Sequence, residues 1–71
     1  MKILAKPSLR QERLARKLSL TVPAYFARIS EMELSRIERR VRGVTSIRAN
    51  KLCTYFKLPF SELFEIVENK E

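Results

Sequence analysis

Apolar residues recur at helical spacing along most of this chain and never alternate for long. Ala49, Leu52, Cys53 and Phe56 stand at i, i+3, i+4 and i+7, and Phe60, Leu63, Phe64 and Val67 repeat that spacing. Each set makes one apolar stripe on a helix. Thr45 or Ser46 caps the first of the two, and Pro59 suits the first turn of the second. Upstream, Leu34, Ile37 and Val41 form a narrower stripe after Ser30, a good N-cap, with Glu31 and Glu33 favourably placed at the positive end of the helix dipole. Ser8 precedes Gln11 by three, the spacing of a capping box, so a first helix starts there with Leu9, Leu14, Ala15 and Leu18 inward and Arg10, Arg13, Arg16 and Lys17 outward. Pro23 limits a second helix to about residues 22–28, in which Ala24 and Ala27 allow close crossing and Tyr25 and Phe26 serve packing. The pattern predicts an all-α fold, a compact bundle of about five short helices. Residues 1–7 read as a flexible arm or short strand, 8–68 as the domain, and 69–71 as a frayed tail.

Composition narrows the function. With 71 residues, no His and one Cys, the chain has room for a small core but not for a catalytic cleft, a metal cage or a Ser-His-Asp constellation. No enzyme activity, cofactor or small-molecule substrate is expected. Cys53 reads as a small core hydrophobe. No stretch is apolar and long enough to span a bilayer and no signal-peptide pattern is present, so a cytoplasmic protein with no membrane partner is expected.

The net charge of +7 is segregated: residues 1–57 carry 14 Lys and Arg against 4 Glu, a balance of +10, while residues 58–71 carry Lys70 against Glu62, Glu65, Glu68 and Glu71, a balance of −3. A basic body with an acidic end points to a polyanion on one side only. The third helix concentrates the basic charge, with Arg36, Arg39, Arg40 and Arg42 on and just beyond it. That suits a helix laid in a nucleic-acid groove.

From Leu9 to Phe64 the sequence resembles, without gaps, the Cro- and phage-repressor-type helix-turn-helix domains of the XRE family. The resemblance rests on Leu18-Ser19, Ala24, Ile29-Ser30, the run Leu34-Ser35-Arg36-Ile37-Glu38-Arg39, and Leu63-Phe64. It implies a sequence-specific transcriptional regulator of double-stranded DNA, a repressor, with the third helix in the major groove. It further implies base contacts by Glu31, Met32, Glu33 and Arg36 and phosphate contacts by Ser19, Arg39, Arg40 and Arg42. Lys17, Arg28, Arg40 and Lys57 stand where the family usually has Gly, Pro23 where it has a buried Leu, and Glu12 at an apolar site. In a second register, residues 11–21 match the first helix and turn of the motif and residues 22–30 become the recognition helix.

One short helix reads few base pairs, so a two-fold homodimer is expected. Phe60, Phe64, Ile66 and Val67 are the candidate interface. The other reading of the same surface is a protein-interaction module, such as an antitoxin, that binds its partner through the C-terminal helix.

Overall fold

The computed structural model describes residues 1–68; the tail expected at 69–71 lies outside the described residues. In chain order the elements are β1 (Lys2–Ala5), α1 (Pro7–Ala15), α2 (Thr21–Ala27), α3 (Glu31–Glu38), α4 (Ser46–Phe56), α5 (Phe60–Leu63) and β2 (Phe64–Val67). The helices enclose a core of Leu9, Ala24, Leu34, Ile37, Leu52, Phe56 and Leu63, all almost fully buried.

Several helix ends follow the sequence. Ser30 Oγ accepts the Glu33 N–H at 3.0 Å to start α3, and Thr45 Oγ1 accepts the Arg48 N–H at 3.3 Å to start α4. The four stripe residues of α4 are all buried. Pro23 sits in the first turn of α2, where no intrahelical N–H is needed, and fills a buried position itself. Ala24 and Ala27 are buried, as close helix crossing requires.

Other expectations are corrected. The fold is not all-α. The fifth helix stops after one turn at Leu63, because Phe64 takes an extended conformation (φ −139°, ψ 164°). Phe64-Glu65-Ile66-Val67 then pairs antiparallel with Lys2–Ala5, joining Ala5 to Phe64 and Lys2 to Val67. A short run of aromatic and β-branched residues is ambiguous between helix and strand, and a partner strand decides it. The N-terminal residues are therefore not a flexible arm; Val44 also bonds back to Ile3, its N–H donating to the Ile3 carbonyl at 3.1 Å.

At the start of α1 the capping box does not form. Lys6 occupies the N-cap without a side-chain bond, and the Ser8 hydroxyl donates to the Glu62 carbonyl instead, tying α1 to α5. Leu14 turns outward and Arg13 inward, the reverse of the expected arrangement. Val41 lies past the end of α3 and is exposed. The second register needs a helix over residues 22–30; the structure ends α2 at Ala27, three residues short, and turns left-handed at Arg28.

Lys17, Arg28, Arg40 and Lys57 all have positive φ, between 56° and 63°. The turns usually made with glycine are therefore kept, at a cost of roughly 1–2 kcal/mol per side chain in the left-handed region, partly offset by a cation at a helix C-terminus. Lys57→Gly is expected to raise stability in urea denaturation by about 0.5–1 kcal/mol. Arg40→Gly is expected to lower it, because the Arg40 guanidinium donates to the Ala5 carbonyl at 3.0 Å and to Glu65 at 2.6 Å. Equal effects at the two sites would show that those bonds contribute nothing.

Candidate nucleic-acid interface

A seven-residue helix, a turn over residues 28–30 and an eight-residue helix form the helix-turn-helix unit, which carries Arg28 and Arg36, with Arg39, Arg40 and Arg42 just beyond it. The left-handed Arg28 reverses the chain, and Leu34 and Ile37 seat α3 on the core. With only these two aliphatics buried, the helix leaves its remaining faces to polar groups. Thr21 Oγ1, on the first residue of α2, donates to Glu31 Oε2, on the first residue of α3, at 2.9 Å. The starts of the two helices are thereby linked.

The rotation of α3 is fixed from its other end. Arg13 Nε donates to Glu38 Oε2 at 2.7 Å, Nη2 to Oε1 at 3.0 Å, and Nη1 to the Leu18 carbonyl at 2.8 Å. Both side chains are buried, 9 % and 3 % exposed. The hydrogen bond to Glu38 raises the Arg13 pKa above its ordinary value; desolvation opposes this, and the Glu38 charge adds to the rise. Arg13 thus stays cationic inside the domain. The sequence pattern missed this pair, since its members are 25 residues apart and no local periodicity marks them.

The four residues expected at base edges are brought together on the first two turns of α3, but not equivalently. Met32 and Arg36 are exposed and their side chains have no polar partner among the described residues. Glu31 is held by Thr21, and Glu33, half-buried, lies 3.6 Å from Arg42 Nε. Of the residues expected at phosphates, Ser19 is exposed at the approach to α2, its Oγ accepting the Thr21 N–H at 3.3 Å. Arg39 is exposed just past α3, and Arg42 is exposed beyond it. Arg40 is exposed as well, but its guanidinium is already engaged by the Ala5 carbonyl and Glu65 and braces the terminal ribbon against the end of α3.

The expected dimer surface divides. Ile66 is 57 % exposed and Phe60 and Val67 are half-buried, but Phe64 is 1 % exposed and belongs to the core. Phe64 and Ile66 share one face of β2, but Phe64 lies at its α5 end, paired with buried Ala5, while Ile66 stands further along; Glu65, on the opposite face, reaches Arg40. The C-terminal helix of the antitoxin reading is the four-residue α5, Phe60–Leu63, and the chain continues from it as β2. Cys53 is buried in α4, and burial pushes its thiol pKa up.

The class these features define is a small helix-turn-helix domain closed by a two-stranded ribbon. No protein-family model matches the chain, and no curated protein matches it significantly. Among solved structures it is similar to the restriction-modification controller protein C.AhdI from Aeromonas hydrophila, with 28 % identity and a TM-score of 0.69 over 76 % of this chain and 82 % of that one. The fold thus matches that of a restriction-modification controller, and no helix among the described residues is long and apolar enough to cross a membrane.

The buried pair yields a direct test. Glu38→Ala is expected to cost about 3–5 kcal/mol by leaving Arg13 charged and unpaired. The double variant Arg13→Met, Glu38→Leu is expected to recover most of that loss in thermal or urea unfolding. A double variant as unstable as Glu38→Ala would show that the apolar replacement does not pack.

Proposed function

We propose that this protein is a cytoplasmic, sequence-specific double-stranded-DNA-binding transcriptional regulator that inserts α3 into the major groove as a homodimer. The carrying observation is that Met32 and Arg36 stand exposed, with no polar partner among the described residues, on a helix whose end is flanked by exposed Arg39 and Arg42. Similarity to a restriction-modification controller protein supports the same reading. A dimer covering its site excludes other proteins from that duplex, so repression is the expected outcome.

In this reading Arg36 forks onto guanine O6 and N7, and Met32 meets a thymine methyl. Glu31 and Glu33 reach cytosine N4 only by sharing carboxylates already turned toward Thr21 and Arg42. Ser19, Arg39 and Arg42 hold phosphates, and each phosphate neutralised releases counterions. Arg40 supports them from behind rather than touching the backbone. A basic body also steers the encounter, while the acidic segment from Glu62 to Glu68 stays off the duplex.

Sequences bound from a random duplex pool, followed by anisotropy titrations, test this. Arg36→Ala is expected to cost about 1–3 kcal/mol at the selected site and to relax preference at one base pair. Arg42→Ala is expected to weaken all duplexes alike and to lower the salt slope by about one. If Arg36→Ala weakens selected and scrambled duplexes equally, α3 does not read bases.

The homodimer is proposed through Phe60, Ile66 and Val67, the members of the expected surface that are not buried. A second protomer doubles the readout over two half-sites, which one short helix needs against a genome's excess of competing sites. Ile66→Lys is expected to give a folded monomer with much weaker binding to a two-fold symmetric site. Unmutated protein that sediments as a monomer at high micromolar concentration, with and without duplex, overturns the homodimer.

A further inference from the structure

The outer face of α2 is apolar where a solvent-facing helix face is ordinarily polar. Val22, Tyr25 and Phe26, spaced i, i+3 and i+4, are 52 %, 84 % and 43 % exposed. The patch has a rigid floor: the Phe26 ring lies 5.4 Å from that of Tyr55, which in turn stands edge-on to buried Phe56 at 5.1 Å. Beside it opens a hollow of about 490 Å³ lined by Tyr25, Phe26, Arg28, Ile29 and Lys51.

Arg28 and Lys51 form no ion pair among the described residues, where the pairs present use Arg13, Arg16, Arg40 and Arg42. Arg28 holds its place in the left-handed region, φ 63°, with no side-chain bond among the described residues to compensate. Fixed aromatics with adjacent cations are the composition of an interface anchor.

We propose that this face docks an acidic amphipathic segment of a different protein, its Leu or Phe side chains entering the hollow and its carboxylates pairing with Arg28 and Lys51. Charge decides the occupant. A two-fold contact with a second copy through this face would bring two sets of Arg28 and Lys51 into one interface whose lining holds no carboxylate to pair with them. The chain's own acidic stretch, Glu62 to Glu68, lies largely in the ribbon, with Glu65 committed to Arg40. A head-to-tail use of it would give an open chain of molecules rather than a closed assembly. Aromatics with cations also suit a single-stranded nucleic acid, but Val22 and Ile29 offer no stacking surface and only two cations line the hollow.

The experiment is a ¹H–¹⁵N titration of the whole protein with three probes. The first is a synthetic helix of about 14 residues with Leu at i, i+3, i+4 and i+7 and Glu on its flanks. The second has Lys in place of Glu, and the third is oligothymidylate. The acidic peptide is expected to shift the amides of Val22, Tyr25, Phe26, Arg28 and Lys51, and the basic peptide to leave them in place. Tyr25→Ser and Lys51→Glu, both altered at side chains outside the core, are each expected to weaken the acidic peptide by about tenfold or more. Duplex affinity of Tyr25→Ser is expected to be unchanged, which keeps this result separate from the DNA reading. An acidic peptide that leaves the patch unmoved, equal binding of the basic peptide, or a larger response of the same amides to oligothymidylate overturns the proposal.

Discussion

The buried ion pair between Arg13 and Glu38 is the constraint on which the rest of the domain turns. Two charges removed from water are unfavourable unless their hydrogen-bonding capacity is met, and here the guanidinium makes two bonds to the carboxylate and a third to the Leu18 carbonyl. Those three bonds join α1, the connection to α2 and the last residue of α3. Hydrophobic contact alone would tolerate some rotation of α3, since Leu34 and Ile37 present only a narrow stripe. A bidentate pair tolerates little, because turning the helix strands a charge in the core. The direction in which Met32 and Arg36 face is thus set partly by a residue on another helix.

A second clamp works outside the core. The two ends of the chain meet as antiparallel strands, and Arg40, just past α3, reaches the Ala5 carbonyl on one strand and the Glu65 carboxylate on the other. Ala5 and Phe64 pair and are both buried, so the ribbon covers the core as well as joining the termini. A two-stranded ribbon is marginal by itself; packing against helices and the additional bridge from Val44 to Ile3 support this one.

What the sequence made legible was what short-range spacing determines. The α4 stripe, the Ser30 and Thr45 caps and the small residues of α2 are local signals, and all appear in the structure. What escaped depends on partners far away in sequence. Phe64 and Val67 satisfy a helical period, yet the β1 partner some 60 residues distant draws them into a strand. Arg13 looks like a surface cation until Glu38 is placed opposite it. Of the candidate site, the exposure of Met32 and Arg36 followed from the stripe of α3, whereas the engagement of Arg40, Glu31 and Glu33 did not, since each depends on a side chain from another part of the fold or turn.

The four left-handed residues tie these points together. Glycine at positions 17, 28, 40 and 57 would relieve strain of roughly 1–2 kcal/mol at each, a large amount for a domain whose whole stability is on the order of 5–10 kcal/mol. It would also lower the net charge from +7 to +3, because all four residues are basic. Arg40 returns the strain through two bonds, while Arg28 has no such bond among the described residues and lines the hollow beside α2. The turns of the motif are therefore held by what packs on either side of them, not by the permissiveness of the turn residue. With that constraint met elsewhere, the turn positions carry charge, and stability given up in the backbone appears as positive potential on the surface.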